Sequence, residues 1–321
     1  TKKYSSLQFD EALDSLGSNL WLGSGLDTSY ASVSTLKANL SQTLDLAKEA
    51  LIFPTFPQNE IDRIKKQTLA SIIQEENRPA AIAYRNIGKL LYGENHPYGK
   101  PLTGSGISKT ISNINRNDVI AVHNRAINPA NLTFAVAGDI ELDVLVEILE
   151  DKFGNWSSNS NSNLKELNNV TLPDSRRVYL IDKPNAQQSY IVAGQLLPPS
   201  ATDEEIKISY MNYAIGGSFT ARLNMNLRED KSWSYGVRTR LADAKGQRAM
   251  IVTAPVQTDK TSESITEIVN EYAAYLSTSP TTEDELAKGK ASKTLRLPGQ
   301  FETLGALKGG VSDIVTYNRD L

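Results

Sequence analysis

Apolar residues recur along this chain with two periods, and the helical one is the clearer. Leu40, Leu44, Ala47 and Leu51 fall at i, i+4, i+7 and i+11, on one face of an amphipathic helix. Phe53-Pro54-Thr55-Phe56-Pro57 breaks it, and a second helix runs from Pro57, a good first-turn residue, with Ile61, Ile64, Thr68 and Ile72 on one face. Glu75-Glu76-Asn77-Arg78-Pro79 ends that helix. Further helices are predicted from Phe9 to Leu16, closed by Gly17 at a C′ position, and through Ile82, Ile87 and Leu91. Others follow from Asp118 to Arg125, through Leu142, Leu145, Val146, Leu149 and Phe153, and through Ile265, Ile268, Val269, Tyr272 and Leu276. Ser279-Pro280 is expected to cap a last helix through Leu286 that ends near Pro298. The two-residue period predicts a hairpin over Asn19–Asn39 with a Gly-rich turn at Gly23–Asp27, and strands at Leu132–Ala137, Val178–Ile181 and Tyr190–Leu196. A second hairpin is predicted from Tyr235 to Val256, with Ala249-Met250-Ile251-Val252 as its apolar return strand.

One stretch combines pattern with chemistry. Thr202-Asp203-Glu204-Glu205 reads as a capping box opening a helix whose Ile206, Tyr210, Tyr213 and Ala214 share a buried face. Gly216-Gly217-Ser218 then breaks it, where backbone can turn sharply or approach another chain closely. A short helix through Arg222, Leu223 and Leu227 carries Arg228 to its end, and Tyr235 opens what reads as a strand. An arginine fork and a phenol at such a junction can grip a carbonyl or a carboxylate. On residue types alone the plainer reading is an Arg–Glu surface pair and a half-buried Tyr.

Length and composition narrow the classes. The 321 residues suit two domains, and 40% hydrophobic with 22% charged residues provides for a sizeable core. The run Ser157-Ser158-Asn159-Ser160-Asn161-Ser162-Asn163 has nothing to bury and reads as a linker, which gives domains at 1–154 and 176–321 around a connection at 155–175. A net charge of −3 with interspersed signs offers no polycationic face for nucleic acid, and no apolar run approaches the roughly 18 residues of a membrane span. The compartment stays open, a bacterial periplasm being the favoured setting. Zero cysteines exclude disulfides and thiolate-bound zinc. His96 and His123 stand alone, so no H-E-x-x-H or H-x-x-E-H helix occurs in these residues, and each is read as structural, His96 as ordering its loop. Ser108-Lys109-Thr110 lacks the glycines of a phosphate loop.

The chain also repeats itself. At an offset of 223 residues, Pro57-x-x-Glu60…Lys65 lies over Pro280-x-x-Glu283…Lys288, and helix 40–53 lies over 263–276. The first hairpin lies over the second, so both halves read hairpin, helix, Pro-capped helix, proline break. The copies are cut out of phase, which predicts two domains, each truncated, within a fragment of a longer polypeptide.

These motifs together resemble the pitrilysin, insulinase and mitochondrial-processing-peptidase family of zinc peptidases, the inverzincins. The resemblance covers essentially the whole chain. Leu16-Gly17-Ser18…Asp27, Pro54-Thr55-Phe56-Pro57, Asn77-Arg78-Pro79, His96-Pro97-Tyr98-Gly99 and Asn128-Pro129-Ala130-Asn131-Leu132 through Gly138-Asp139 follow the order of the family's first domain. Gly216-Gly217-Ser218…Arg222-Leu223…Leu227-Arg228-Glu229…Tyr235 resembles the glycine-rich loop and Arg/Tyr pair of its second. The resemblance implies an α/β (α+β sandwich) fold of two homologous LuxS- or processing-peptidase-like domains, each a mostly antiparallel sheet packed on helices. It implies that Arg228 and Tyr235 bind the substrate backbone and oxyanion in a partner's site, with Gly216, Gly217, Ser218 and Arg222 as further substrate-binding groups.

Three departures bear on zinc. The family's H-x-x-E-H is absent from these residues, its third ligand position falls on Ser71, with Glu75 and Glu76 a turn away, and Leu20-Trp21-Leu22-Gly23 stands where the family has small polar residues. The expectation is that even the intact first domain binds no zinc. The favoured reading is therefore a catalytically degenerate half of a two-part zinc peptidase, with zinc held by a catalytic partner subunit or by the other half of the same polypeptide, and a peptide as substrate. The alternatives are an active metalloendopeptidase whose zinc helix lies upstream, and a structural or assembly subunit without proteolytic role.

Overall fold

The structure, a computed structural model, describes residues 1–157 and 167–319. In chain order its elements are α1 (Ser6–Ser15), β1 (Asn19–Ser24), β2 (Ser29–Ser34), α2 (Leu40–Ile52), α3 (Gln58–Glu75), α4 (Pro79–Tyr92), α5 (Ser108–Asn113), α6 (Arg116–Ala126) and α7 (Leu142–Phe153). Beyond the linker follow β3 (Gln188–Leu197), α8 (Glu205–Asn212), α9 (Arg222–Asn224), β4 (Arg238–Leu241), β5 (Arg248–Gln257), α10 (Thr261–Tyr275), α11 (Glu283–Arg296) and α12 (Leu304–Tyr317). The fold is α+β with small antiparallel sheets.

Internal packing divides the chain into two units. The first takes in Thr1–Thr68, the stretch from Lys109 into the linker, and Glu302–Thr316; the second takes in Leu69–Ser108, the chain from beyond the linker to Phe301, and the residues from Tyr317. The sequence halves at 1–154 and 176–321 do not follow this division, because α4 packs on β3 and so belongs with the second unit. Most of the polar linker, residues 158–166, lies outside the described residues.

In the first unit, Ser5 and Gln8 form a capping box on α1, and Gly17 closes the helix at φ +58°. β1 and β2 pair antiparallel from Asn19 with Ser34 to Ser24 with Ser29. Helix α2 buries Leu44 and Ala47, as its period predicts, and Leu46 besides. Three hydroxyls, Ser18, Thr35 and Thr43, hydrogen-bond one another at 2.7–3.0 Å and tie the end of α1 and the end of β2 to α2.

In the second unit β5 is the centre of a three-stranded sheet, β3-β5-β4, antiparallel throughout. Ile191, Ala193, Val252, Ala254 and Val256 face Ile215, Leu223, Leu227, Val237 and Ile268 on one side. Val192, Leu196, Ala249 and Ile251 face Ile87, Leu91, Tyr92 and Tyr98 on the other. The repeat is present as β1-β2-α2-α3 and β4-β5-α10-α11, and a 3₁₀ turn leads into α2 (Lys37–Asn39) and into α10 (Thr258–Lys260) alike.

Several expectations are corrected. Leu132–Ala137 and Val178–Ile181 form no strand, and Phe134 and Leu180 are 40% and 88% exposed. Both carry β-favouring residues, yet a strand needs a partner ladder, and no described segment supplies one. The capping box at Thr202–Glu205 does not form: Glu204 is the N-cap without a side-chain bond, and the Glu205 carboxylate instead pairs with the buried Arg248. Ile206, expected inside, is 70% exposed, and so is about half of Ile64. Helix α11 is capped by Thr282 with Glu285 rather than by Ser279-Pro280, because that pair supplies the reciprocal bonds of a capping box. Tyr235 does not open a strand; Ser234 makes one bridge to Val256, and β4 begins at Arg238.

Candidate functional site

Two π-helical turns shape the stretch between α8 and β4. The first, Tyr213–Gly217, buries Ala214, Ile215 and Gly216. A methyl group built on Gly216 would lie 2.0 Å from Thr239 Oγ1, so only glycine lets this turn rest on β4. On Gly217 a methyl would meet Asn212 Nδ2 at 2.6 Å. Ser218 leaves the turn in extended conformation, and Ala221 leads into α9. The second π turn, Met225–Asp230, seats Leu227 in the core, as α9 does Leu223, both fully buried, and carries Arg228 on its outer side. Ser232, at φ +55°, lets the chain double back, with Trp233 N donating to Leu227 O at 2.9 Å. The Ser234 hydroxyl then donates to Pro255 O at 2.6 Å, which fixes the chain on β5 and leaves the next side chain, Tyr235, 87% exposed.

The residue that joins the two arms is Asn224, fully buried and absent from the sequence reading. Its Nδ2 donates to Phe219 O at 2.7 Å, and its Oδ1 accepts from Val237 N at 3.0 Å. An amide inside a run otherwise anchored by Leu223 and Leu227 was the available signal: a buried Asn must have partners.

The arginines of this stretch have unequal roles. Both nitrogens of the Arg222 fork reach Glu285, Nε to Oε1 and Nη2 to Oε2, each at 2.6 Å. Its Nη1 donates to Ser279 O and its Nη2 to Pro280 O, and the guanidinium lies 5.0 Å over the Tyr275 ring. Arg222, aided by the Thr282 backbone, holds the Glu285 carboxyl down at about 2 against the opposing pull of burial. Its donors are thus engaged by its own chain, clamping the α10–α11 connection. Arg228, by contrast, lies 4.7 Å over the ring of Phe219, with its Nε 3.4 Å from Glu229 Oε1 and its side chain 37% exposed. The Arg–Glu surface pair exists, but the tyrosine beyond it is exposed rather than half-buried.

The family resemblance implies zinc, which takes His, Cys, Asp or Glu ligands. His96 Nδ1 accepts from Tyr98 N at 3.0 Å while the ring stacks on Tyr92, and His123 Nε2 donates to Leu51 O at 2.9 Å. Ser71 is exposed on α3. Glu75 Oε2 receives Arg85 Nη1 and Ser105 Oγ, each at 2.6 Å; burial raises its pKa, yet the bonds from Ser105, Arg85 and Thr103 outweigh this and lower it. No three His, Cys, Asp or Glu side chains converge among the described residues. These groups do not fit a zinc ion. Among the described residues no helix is long and apolar enough to cross a membrane.

Two hairpin–helix–helix repeats with small antiparallel sheets define an α+β protein. Residues 113–293 match the family described as Peptidase M16 inactive domain, and the chain belongs to the peptidase M16 family. It is 20% identical over 291 residues to an uncharacterized zinc protease of Mycobacterium leprae, covering 90% of this chain and 64% of that one. With an uncharacterized zinc protease of Bacillus subtilis it shares 24% identity over 239 residues, covering 74% of this chain and 56% of the other. The chain therefore spans a little over half the length of these relatives. Its fold is similar to a crystal structure of a peptidase M16 inactive domain from Pseudomonas fluorescens, with TM-score 0.89, 22% identity, and coverage of 99% of this chain and 75% of that one. A Helicobacter pylori protease structure superposes with TM-score 0.87 at 18% identity, covering 99% of this chain and 76% of the other.

Proposed function

We propose that this chain is the zinc-less, gripping half of an M16-type peptidase, acting on peptides at a zinc site carried by a partner subunit or by another part of its polypeptide. The observation that carries the reading is the presentation of Arg228 and Tyr235. One is stacked on an exposed ring, the other is almost wholly in solvent, and Asn224 and the Gly216 turn hold the scaffold behind them. A phenol and a guanidinium so placed donate to a peptide carbonyl and to the oxyanion that develops from it. The kinship with proteins described as zinc proteases supports the reaction class, and the match to the inactive domain supports the division of labour. Arg222 then acts as a positioning residue for the Ser279–Glu285 connection rather than as a substrate ligand.

The test is peptide hydrolysis by the full-length protein with zinc, alone and with its candidate partner, each repeated with Arg228→Ala. Cleavage is expected only with the partner, and the variant should be slower by roughly 10²–10³-fold, the cost of one oxyanion donor. Cleavage by the protein alone would show that it holds its own zinc. Full activity of the Arg228→Ala complex would favour the assembly-subunit reading instead.

A further inference from the structure

Phe219 is half-exposed, and two guanidiniums attend its ring: Arg228 at 4.7 Å and Arg238 at 5.8 Å from the centroid. Like charges gathered at one ring repel each other, and little here offsets that. Arg228 has the partly exposed Glu229 at 3.4 Å. Among the described residues Arg238 has no carboxylate within ion-pair distance; its Nη1 makes only long bonds to Ser218 O at 3.4 Å and Val237 O at 3.3 Å. Arg240, two residues along β4 on the same face of the strand, adds an exposed positive charge. Positive charge is thus concentrated at the grip of a chain whose net charge is −3.

We propose that Phe219, Arg228 and Arg238 form a subsite for a carboxylate of the bound peptide, and that Arg238 sets a preference for acidic peptides. The inference rests on the gripping role argued above and names the substrate class for it. The ring holds both guanidiniums by cation–π attraction while leaving N–H donors free, and a carboxylate is the planar acceptor such forks match. It also supplies the counter-charge the cluster lacks. The carboxylate is that of a Glu or Asp side chain or of a peptide C-terminus; the chemistry is shared, and the experiment separates the two.

The full-length protein is titrated with short labelled peptides differing only by Glu or Gln at one position, each made with a free and with an amidated C-terminus, by fluorescence anisotropy. An acidic form should bind about tenfold more tightly than its neutral counterpart, with the difference shrinking at high salt. Preference that follows Glu over Gln identifies a side-chain subsite; preference that follows the free acid over the amide identifies a C-terminal one. Arg238→Gln should bring the ratio close to one, and Arg238→Lys should restore part of it, which a merely structural arginine would not do. Equal binding of all four peptides, absence of any binding, or a preference that survives Arg238→Gln overturns the subsite. Equal binding that still depends on Arg228 overturns the subsite alone. An acidic preference lost in Arg238→Gln, in a protein whose Arg228→Ala variant supports full cleavage, overturns the gripping role alone.

Discussion

The two hairpins of the repeat share a place in the element order and little else. β5 is buried along almost its whole length, whereas β1 and β2 expose Trp21 by 72%, Leu22 by 54% and Tyr30 by 57%. Both read as hairpins in the sequence, although only the second carries a continuous apolar strand, Ala249-Met250-Ile251-Val252. The difference is what each hairpin meets. β5 has β3 on one side and β4 on the other, with α4 covering one face and the α9–α10 region the other, while among the described residues the β1–β2 pair has no third strand. Their polar fasteners differ as well: three shared hydroxyls in the first unit, the Asn224 amide with the Ser234 hydroxyl in the second. A hairpin is specified locally; its burial is specified by residues far away in the chain.

That contrast can be broken most forcefully in the core. Leu223→Ala should cost about 3 kcal/mol, whereas Leu22→Ala should stay within about 0.5 kcal/mol, both read from urea denaturation midpoints. Equal costs would mean that the first hairpin is covered in solution. The fasteners come next. Asn224→Ala leaves the Phe219 carbonyl and the buried Val237 N–H without their partner and should cost about 2 kcal/mol, against about 1 kcal/mol for Thr43→Ala, whose neighbours Ser18 and Thr35 still bond each other. The last contrast is electrostatic. Glu285 is held at about 2 in the folded chain against an ordinary value of 4.5. Its contribution is therefore present above pH 4.5 and is lost as pH falls towards 2. Glu285→Gln should remove roughly 1–2 kcal/mol at neutral pH and flatten the acid limb of the stability curve, after allowance for the partial exposure of the pair. Lys37→Ala, which breaks the exposed pair with Asp139 in the first unit, should change stability by less than about 0.5 kcal/mol at any pH.

The helices were legible because their information is local. The spacing of Leu40, Leu44 and Ala47 and the glycine at 17 each state their own answer within a few residues. The repeat was legible for the same reason, since it is an order of such elements. Pairing was not. Leu132–Ala137 and Val178–Ile181 have the composition of strands, but a ladder depends on a neighbour that composition does not name. Arg228 and Tyr235 are candidates through resemblance to a family; on residue types alone a surface pair and a half-buried Tyr were the plainer reading. Asn224 and Arg248 were missed because a buried polar group looks like a surface one until its partners are known. Ile206, in the first turn of α8, is exposed although the period groups it with Tyr210 and Ala214.

Those π turns have a consequence for how the chain tolerates changes in length. A π turn holds one residue more than an α turn, so a single deletion within Met225–Asp230 can be absorbed by a return to ordinary α geometry, at little cost to the hydrogen-bond ladder. The flanking residues would keep their places, while the side chains within the turn, spaced at about 100° per residue in an α-helix, would be redistributed around the axis. Arg228 would leave its place over Phe219 although no functional side chain had been removed. The bearing of the arginine is thus written in a residue count, and a one-residue gap here would turn Arg228 away from Phe219 in a chain that still folds.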